Sequence, residues 1–229
     1  MRKVVFCDFD GTISKEDSTD VILEYFSVND NWRAVEEDWQ NDLIGSRDCL
    51  IEQFKDVRAS QPDIDSLIKR LHIENGFAEF VRFCKENAIR LYIVSDGISS
   101  VIRTFLQIHK ITEFDAIYAN DIQYLSNGKV KFDCTTDTSA YKCEHNLSCA
   151  NCKPSIVRHL LQSNNIRPED AIYIGDGLSD LLGATECGTV FAREKLYSAL
   201  KQKALTSIKF ETFFDIISAL SKPETIERG

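Results

Sequence analysis

The chain has 229 residues, enough for one large domain or for a core plus a smaller module. Hydrophobic residues at 43% and charged residues at 28% are the proportions of an ordinary globular protein. A net charge of −9 argues against nucleic acid as a partner, and no apolar run nears the roughly 18 residues needed to span a bilayer. The amino terminus is strand-like and not a signal peptide, so a cytoplasmic protein is expected. Its eight cysteines then read as thiols or metal ligands, not a disulfide framework.

The first element is Val4-Val5-Phe6-Cys7, apolar and partly β-branched as in a strand buried on both faces. It runs into Asp8-Phe9-Asp10-Gly11-Thr12. Alternate side chains of an extended segment share a face, so Asp8 and Asp10 start out pointing the same way, and Gly11 lets the chain turn at once. Two carboxylates at the carboxyl end of a buried strand stand where open α/β sheets bind ligands. They suit a hard cation, and one of them can attack phosphorus. The plainer alternative is a strand that ends in solvated aspartates.

Helical patterns follow: Val21-Ile22-Leu23-Tyr25-Phe26, Trp32-Val35-Trp39, Cys49-Leu50-Phe54 and Ile64-Leu67-Ile68-Leu71. Their spacings of three and four are the apolar stripe of amphipathic helices, and Asn29-Asp30-Asn31, Gly45-Ser46 and Gln61-Pro62-Asp63 separate them. Residues 15–73 are therefore expected to form a helical insert. A lid over the site is favoured over a bundle that serves stability alone, because one crossover helix would suffice for a βα unit. Residues 1–14 and 74–229 remain for the α/β core.

That core resumes with a helix over 76–88 and a buried strand, Leu91-Tyr92-Ile93-Val94, which ends in Ser95-Asp96-Gly97 before a helix over 99–107. Ser95 with the amides of Asp96 and Gly97 can cradle an anion, although a strand followed by Ser-Asp-Gly is more often only a turn. Asp115 to Ala119 reads as a third strand, and Ile122–Leu125 with Lys129–Phe132 reads as a β-hairpin about Ser126-Asn127-Gly128. Next come Cys143, His145, Cys149 and Cys152, which could hold a structural zinc ion, with Cys134 a substitute for one of the first two. Reduced thiols or a redox pair are the alternatives. Lys153 stands at the start of a helix that Pro154 opens, a position attractive to anions. The strand Ala171–Ile174 runs into Gly175-Asp176-Gly177-Leu178-Ser179-Asp180 and a short helix to Ala184. A last core strand over 189–192 and helices over 195–203 and 213–220 follow. The expected fold is α/β, with a Rossmann-like three-layer core around a parallel sheet, the helical insert, and a hairpin with a cysteine-rich loop.

Three strands thus end in Asp-x-Asp, Ser-Asp-Gly and Gly-Asp-x-x-x-Asp, with a lysine before one crossover helix. In that order Asp8/Asp10, Ser95, Lys153 and Asp176/Asp180 resemble the four motifs of the haloacid dehalogenase-like phosphatases over nearly the whole chain. The insert after the first motif is similar to the cap of the phosphoserine-phosphatase-like branch. Closer still is the methionine-salvage enol phosphatase family. Cys-Asp-Phe-Asp-Gly-Thr-Ile, an aspartate at position 17 and a cysteine-rich loop ending Cys152-Lys153-Pro154-Ser155 resemble it. Phosphoserine phosphatases instead carry serine and glutamate where Gly11 and Asp17 stand.

The resemblance implies a Mg²⁺-dependent phosphatase that acts on a small phosphorylated metabolite through an aspartyl-phosphate. It implies Asp8 as nucleophile, Asp10 as general acid and base, and Asp8, Asp10 (through its carbonyl oxygen) and Asp176 as Mg²⁺ ligands. Ser95, Asp96, Gly97 and Lys153 would bind phosphate, with Asp180 orienting Lys153 or a metal-bound water. Asp17 and Arg47 are candidate substrate contacts of the cap. Competing readings are a phosphoserine phosphatase, a related phosphotransferase, and a zinc-bearing interaction module on a phosphatase scaffold. A monomer or a homodimer is expected.

Overall fold

The computed structural model describes residues 3–134 and 148–222. In chain order its elements are β1 (Val4–Cys7), α1 (Ser18–Phe26), α2 (Asn31–Gln40), α3 (Ser46–Phe54), α4 (Gln61–Ile68), α5 (Phe77–Glu86), β2 (Arg90–Ile98) and α6 (Ser99–Ile108). They continue with β3 (Ala116–Tyr124), β4 (Val130–Asp133), α7 (Lys153–Ser163), β5 (Ala171–Gly175), α8 (Leu181–Ala184), β6 (Thr189–Ala192), α9 (Glu194–Gln202), β7 (Ile208–Lys209) and α10 (Phe213–Leu220). The strands form one sheet in the order β4-β3-β2-β1-β5-β6-β7. All neighbours are parallel except β3 and β4, which form the hairpin.

The period-two alternation of β1 sorts its side chains into two apolar clusters. Val5 and Cys7 join Phe80, Phe105 and Phe213 of α5, α6 and α10 on one face of the sheet. Val4 and Phe6 join Val157 of α7 and Leu196 of α9 on the other. Helices on both faces of a mostly parallel sheet make the three layers. β1 is central, with β2 on one side and β5 on the other, so the chain leaves it in opposite directions. The crevice that this reversal opens lies beyond the carboxyl ends of β1, β2 and β5.

The four helices α1 to α4 fill the interval between β1 and α5. The Asp17 side chain caps α1 by accepting from the amides of Thr19 and Asp20, and Ser60 with Asp63 forms a capping box on α4. Both ends of the insert are stitched together. Lys15 N–H donates to the His72 carbonyl, Glu74 N–H donates to that of Ile13, and Ser14 bridges Ile73. Trp32, Phe54, Ile64 and Leu67 of the insert belong to the same apolar cluster as Phe9 and Phe105 of the core. The insert packs as part of that core, not as a separately filled unit.

Several elements differ from the sequence expectation. The third strand and the first arm of the hairpin are one continuous strand, β3, because no residue between Ala116 and Tyr124 breaks the extended backbone. β7 adds a two-residue edge strand. Strand β2 does not stop at Val94 but carries Ser95-Asp96-Gly97 within it, with a register shift against β3 between Val94 and Ile98. The Asn120 amide holds the Asp96 carbonyl at 2.7 Å across that irregularity, which re-aims the Ser95 and Asp96 side chains towards the crevice. No helix among the described residues is long and apolar enough to cross a membrane.

Candidate active site

Asp8 is the first residue past β1, and its N–H continues the ladder to the Ile174 carbonyl at 2.9 Å. The carboxylate is 5% exposed at the floor of the crevice, where Oδ1 accepts from Phe9 N–H at 2.8 Å. The chain then turns through Gly11 at φ +69°, a conformation that favours glycine. A Cβ on Gly11 would come within 2.4 Å of Asp176 Oδ2. The same turn points the Thr12 hydroxyl at Asp176 Oδ1, 2.7 Å away.

Asp10 stands on the opposite side of the turn. Its Oδ1 accepts from Ser18 N–H, the first amide of α1, at 2.7 Å. Ser95, 1% exposed, accepts from Gly97 N–H at 2.9 Å. The Asn151 amide fastens this corner to the loop before α7, donating to the carbonyls of Ser95 and Tyr118 at 2.8 Å each. Asp96 lines the same cavity, and its Oδ1 is buried with no hydrogen-bond partner.

Lys153 begins α7 and reaches back beneath these groups. Its Nζ lies 2.9 Å from Asp8 Oδ1, 2.7 Å from Asp180 Oδ1 and 3.2 Å from the Ser179 hydroxyl. Burial alone would push this ammonium towards neutrality, but Asp180, Asp8 and Asp96 together hold its pKa well above the usual lysine range. Asp180 Oδ1 also accepts from the Tyr173 hydroxyl at 2.8 Å, and Oδ2 accepts from the amides of Asp176 and Gly177. A carboxylate offers about four lone-pair sites, so Asp180 is saturated by the protein. Its part here is to hold Lys153.

Burial first, and then the charge of Asp180, raises the pKa of Asp8 well above the ordinary carboxylate range, against the pull of Lys153. The same two causes push Asp176 up to about 6. One oxygen from each of Asp8, Asp176 and Asp180 lies within 4.8 Å of the other two, the one such group of acidic, thiol or imidazole ligands among the described residues. This donor set is all oxygen and crowded with carboxylates, which fits Mg²⁺. Because Asp180 is fully engaged, Asp8 and Asp176 are the carboxylates with an oxygen left for a cation.

Above the floor lies a cavity of about 650 Å³. Its far wall comes from the insert: Asp17, Asp20, Trp32, Arg33, Glu36 and Trp39. The structure therefore brings Asp8, Asp10, Asp17, Ser95, Asp96, Gly97, Lys153 and Asp176 to one cavity, with Asp180 directly behind Lys153. Arg47 is not on that wall, and its backbone N–H donates to the Ser148 carbonyl instead. Motif reading missed Asp20, Arg33 and Glu36. The spacing of Trp32, Glu36 and Trp39 along α2, which puts charge in line with two aromatics, was the available signal.

Of the candidate zinc ligands, Cys143 and His145 lie outside the described residues. Cys152 is fully buried with Sγ 3.0 Å from the Ser155 hydroxyl, and Cys134 packs against the main apolar cluster.

Comparison with known proteins agrees with this arrangement. Residues 3–208 match the family described as "Putative Phosphatase". The chain is 32% identical over 225 residues to the 2-hydroxy-3-keto-5-methylthiopentenyl-1-phosphate phosphatase of Geobacillus kaustophilus, an alignment covering 97% of each chain. It is 30% identical to the protein of the same name from Bacillus cereus strain ATCC 10987, covering 94% of each. Among solved structures, a substrate-bound phosphoserine phosphatase superposes with a TM-score of 0.75 at 18% identity, covering 96% of this chain and 98% of the other. A phospho-aspartyl intermediate analogue of phosphoserine phosphatase gives 0.72 at 19%, covering 95% and 98%. These two share the fold. The chain belongs to the "Putative Phosphatase" family.

Proposed function

We propose that this phosphatase hydrolyses its small phosphorylated metabolite in two displacements at Asp8, and that the helices α1 to α4 act as the cap that encloses the leaving group. The observation that carries this reading is the pairing of Asp8 with Lys153 over 2.9 Å at the floor of the cavity. A buried carboxylate is held there with a cation beside the place where a phosphoryl group would sit.

In the first displacement a carboxylate oxygen of Asp8 attacks phosphorus, the ester P–O bond breaks, and Asp10 delivers a proton to the departing oxygen. In the second, a water oxygen attacks the acyl phosphate, Asp10 takes the water's proton, and the bond between phosphorus and Asp8 breaks to release phosphate. Ser95 and the Asp96 and Gly97 region donate to the non-bridging oxygens, and Lys153 offsets the charge of the dianion. Mg²⁺, held by Asp8, Asp176 and the Asp10 carbonyl oxygen, would screen the repulsion between carboxylate and phosphate.

For the substrate we infer the enol phosphate named for the Geobacillus relative. Two tryptophans suit an apolar thioether chain, and the carboxylates of Asp17, Asp20 and Glu36 suit hydroxyl donors while opposing a substrate carboxylate. The test is phosphate release from a panel comprising the enol phosphate made in situ, phosphoserine, and small sugar, amine and nucleotide phosphates, each with Mg²⁺ and with chelator. A metal-dependent preference for the enol phosphate is the expected result. A preference for phosphoserine would sink the substrate assignment. Turnover that persists in an Asp8→Asn variant would sink the mechanism.

A further inference from the structure

We propose that the first turn of α1 positions Asp10 as the proton donor: Ser18 N–H holds Oδ1, so that the transferable proton resides on Oδ2. This inference rests on the reading of Asp10 as the acid and assigns to Ser18 a role that no motif marks.

The geometry is specific. Asp10 Oδ1 accepts from Ser18 N–H at 2.7 Å. An oxygen already accepting a short N–H bond is the poorer site for a proton, so the acid form carries it on the other oxygen. That oxygen, Oδ2, faces Gly97. A Cβ on Gly97 would come within 2.5 Å of Asp10 Oδ2 and 3.0 Å of the Ser95 hydroxyl. The missing side chain therefore keeps open the corner between acid and phosphate cradle, where an ester oxygen must pass.

The donor amide is equally well placed. The first amides of a helix have no partner within it. In α1 they are divided: Asp17 Oδ1 takes those of Thr19 and Asp20 at 2.9 Å each, and Asp10 takes that of Ser18. Ser18 is 1% exposed, so water does not compete for its N–H. Asp10 is thus held in its working orientation by the insert, and is so held only while α1 is seated on the core. Ser18 is a positioning residue acting through Asp10.

The test uses a substitution that the fold should accept. Ser18 is the first helical residue, where proline is well tolerated. The preceding Asp17 already has φ −76° and ψ 112°, the region that a residue before proline adopts. Ser18→Pro removes the N–H together with the hydroxyl and puts a ring carbon in place of the N–H. Ser18→Ala removes the hydroxyl and keeps the N–H, so the difference between the two variants reads the N–H alone. The readout is kcat/KM, which runs through release of the leaving group, for a primary alkyl phosphate and for 4-nitrophenyl phosphate with Mg²⁺. The alkoxide needs the proton and the nitrophenolate does not. Ser18→Pro should lower the alkyl value about 10²-fold more than the aryl value. Ser18→Ala should change the alkyl-to-aryl ratio far less.

Equal losses on the two substrates, or equal ratios in the two variants, would overturn the proposal. Should circular dichroism show Ser18→Pro unfolded, Asp17→Ala and Asp17→Asn decide. Ala removes the cap that seats the turn and should depress the ratio, while Asn keeps the acceptor and should restore it. No restoration would overturn the proposal. A wild-type protein that hydrolyses neither ester would instead remove the reading on which the proposal rests.

Discussion

Lys153 Nζ donates to Asp180 Oδ1 across 2.7 Å, and the two side chains, 2% and 0% exposed, form an ion pair that water does not reach. Asp180 accepts on both oxygens from four donors, so an amide in its place would turn an N–H₂ group towards either Lys153 and Tyr173 or the two backbone amides. Asp180→Asn should therefore cost about 3–5 kcal/mol, the usual penalty for breaking a buried pair from one side. It should also leave Lys153 misplaced against Asp8. Urea unfolding together with kcat checks this, and a variant of wild-type stability and turnover would show that Asp180 does not hold the lysine.

The cavity floor was legible in the sequence because each of its parts sits at the end of a buried strand or at a helix start, where local pattern and chemistry coincide. Asp8, Asp176 and Lys153 each follow or open an element that apolar periodicity already predicts. Ser95 was legible as a residue but not as a conformation. A strand ending in Ser-Asp-Gly reads as a turn, and only pairing with Asn120 of β3 keeps it in the sheet. Tyr173 reads as one more apolar strand position, and its hydroxyl bond to Asp180 cannot be foreseen from alternation. The cavity wall of Asp20, Arg33 and Glu36 comes from two helices whose relative placement depends on packing against Phe9 and Phe105, which no spacing rule identifies, and the candidate Arg47 lies off that wall. Arg193 and Glu74, 119 residues apart, carry no local signal at all.

Arg193 nevertheless ties the site to the insert. Its Nε and Nη2 donate to the Gly11 carbonyl, Nη2 reaches that of Thr12, and Nη1 donates to Glu74 Oε2 at 2.9 Å and to the Glu211 carbonyl at 3.1 Å. All of its donors are spent: on the turn after Asp8, on Glu74 where the chain re-enters the core, and on Glu211 ahead of α10. Arg193→Met should destabilise the protein by about 3–5 kcal/mol, because Glu74 is left buried without its counter-ion. Adding Glu74→Gln should recover part of that loss in a double-mutant cycle read by urea unfolding. Strict additivity of the two single changes would rule out the coupling.

Asp20 supplies a pH dependence. Its carboxyl is pushed up to about 7, first by the protein packed around it, then by Asp17 and Glu36, with Arg33 and Lys195 pulling it back. The folded protein keeps this proton where the unfolded chain, with an aspartate near 3.9, has lost it. The folded state binds more protons across that interval, so stability falls as the pH rises from about 4 to about 7 and then levels off. Asp20→Asn removes this contribution. The Tm of that variant relative to wild type should climb between pH 4.5 and 7.5, and a constant difference would show that Asp20 titrates normally.

The last prediction concerns the seam between the insert and the loop before α7. A Cβ on Gly45 would lie 2.2 Å from the Ser148 carbonyl oxygen and 2.8 Å from its amide nitrogen, both backbone atoms that cannot rotate aside. Arg47 N–H donates to that carbonyl at 3.2 Å, and the Ser46 hydroxyl accepts from Ala150 N–H at 3.0 Å, so the two segments are bonded on either side of the contact. From Ala150 the chain runs directly into Asn151, which holds Ser95, and into Lys153. Gly45→Ala must move the loop or the insert, and either shift reaches Ser95 through Asn151. We expect a loss of about 1–3 kcal/mol in stability from overpacking, and a fall in kcat/KM of about 10-fold or more, because small displacements of positioning groups are costly. Ser46→Ala, which deletes the hydroxyl and its bonds to Ala150 N–H and Asp96 without a clash, should cost only about 1–2 kcal/mol. If Gly45→Ala lowered stability but left kcat/KM at the wild-type value, the seam would be a packing contact with no bearing on the site.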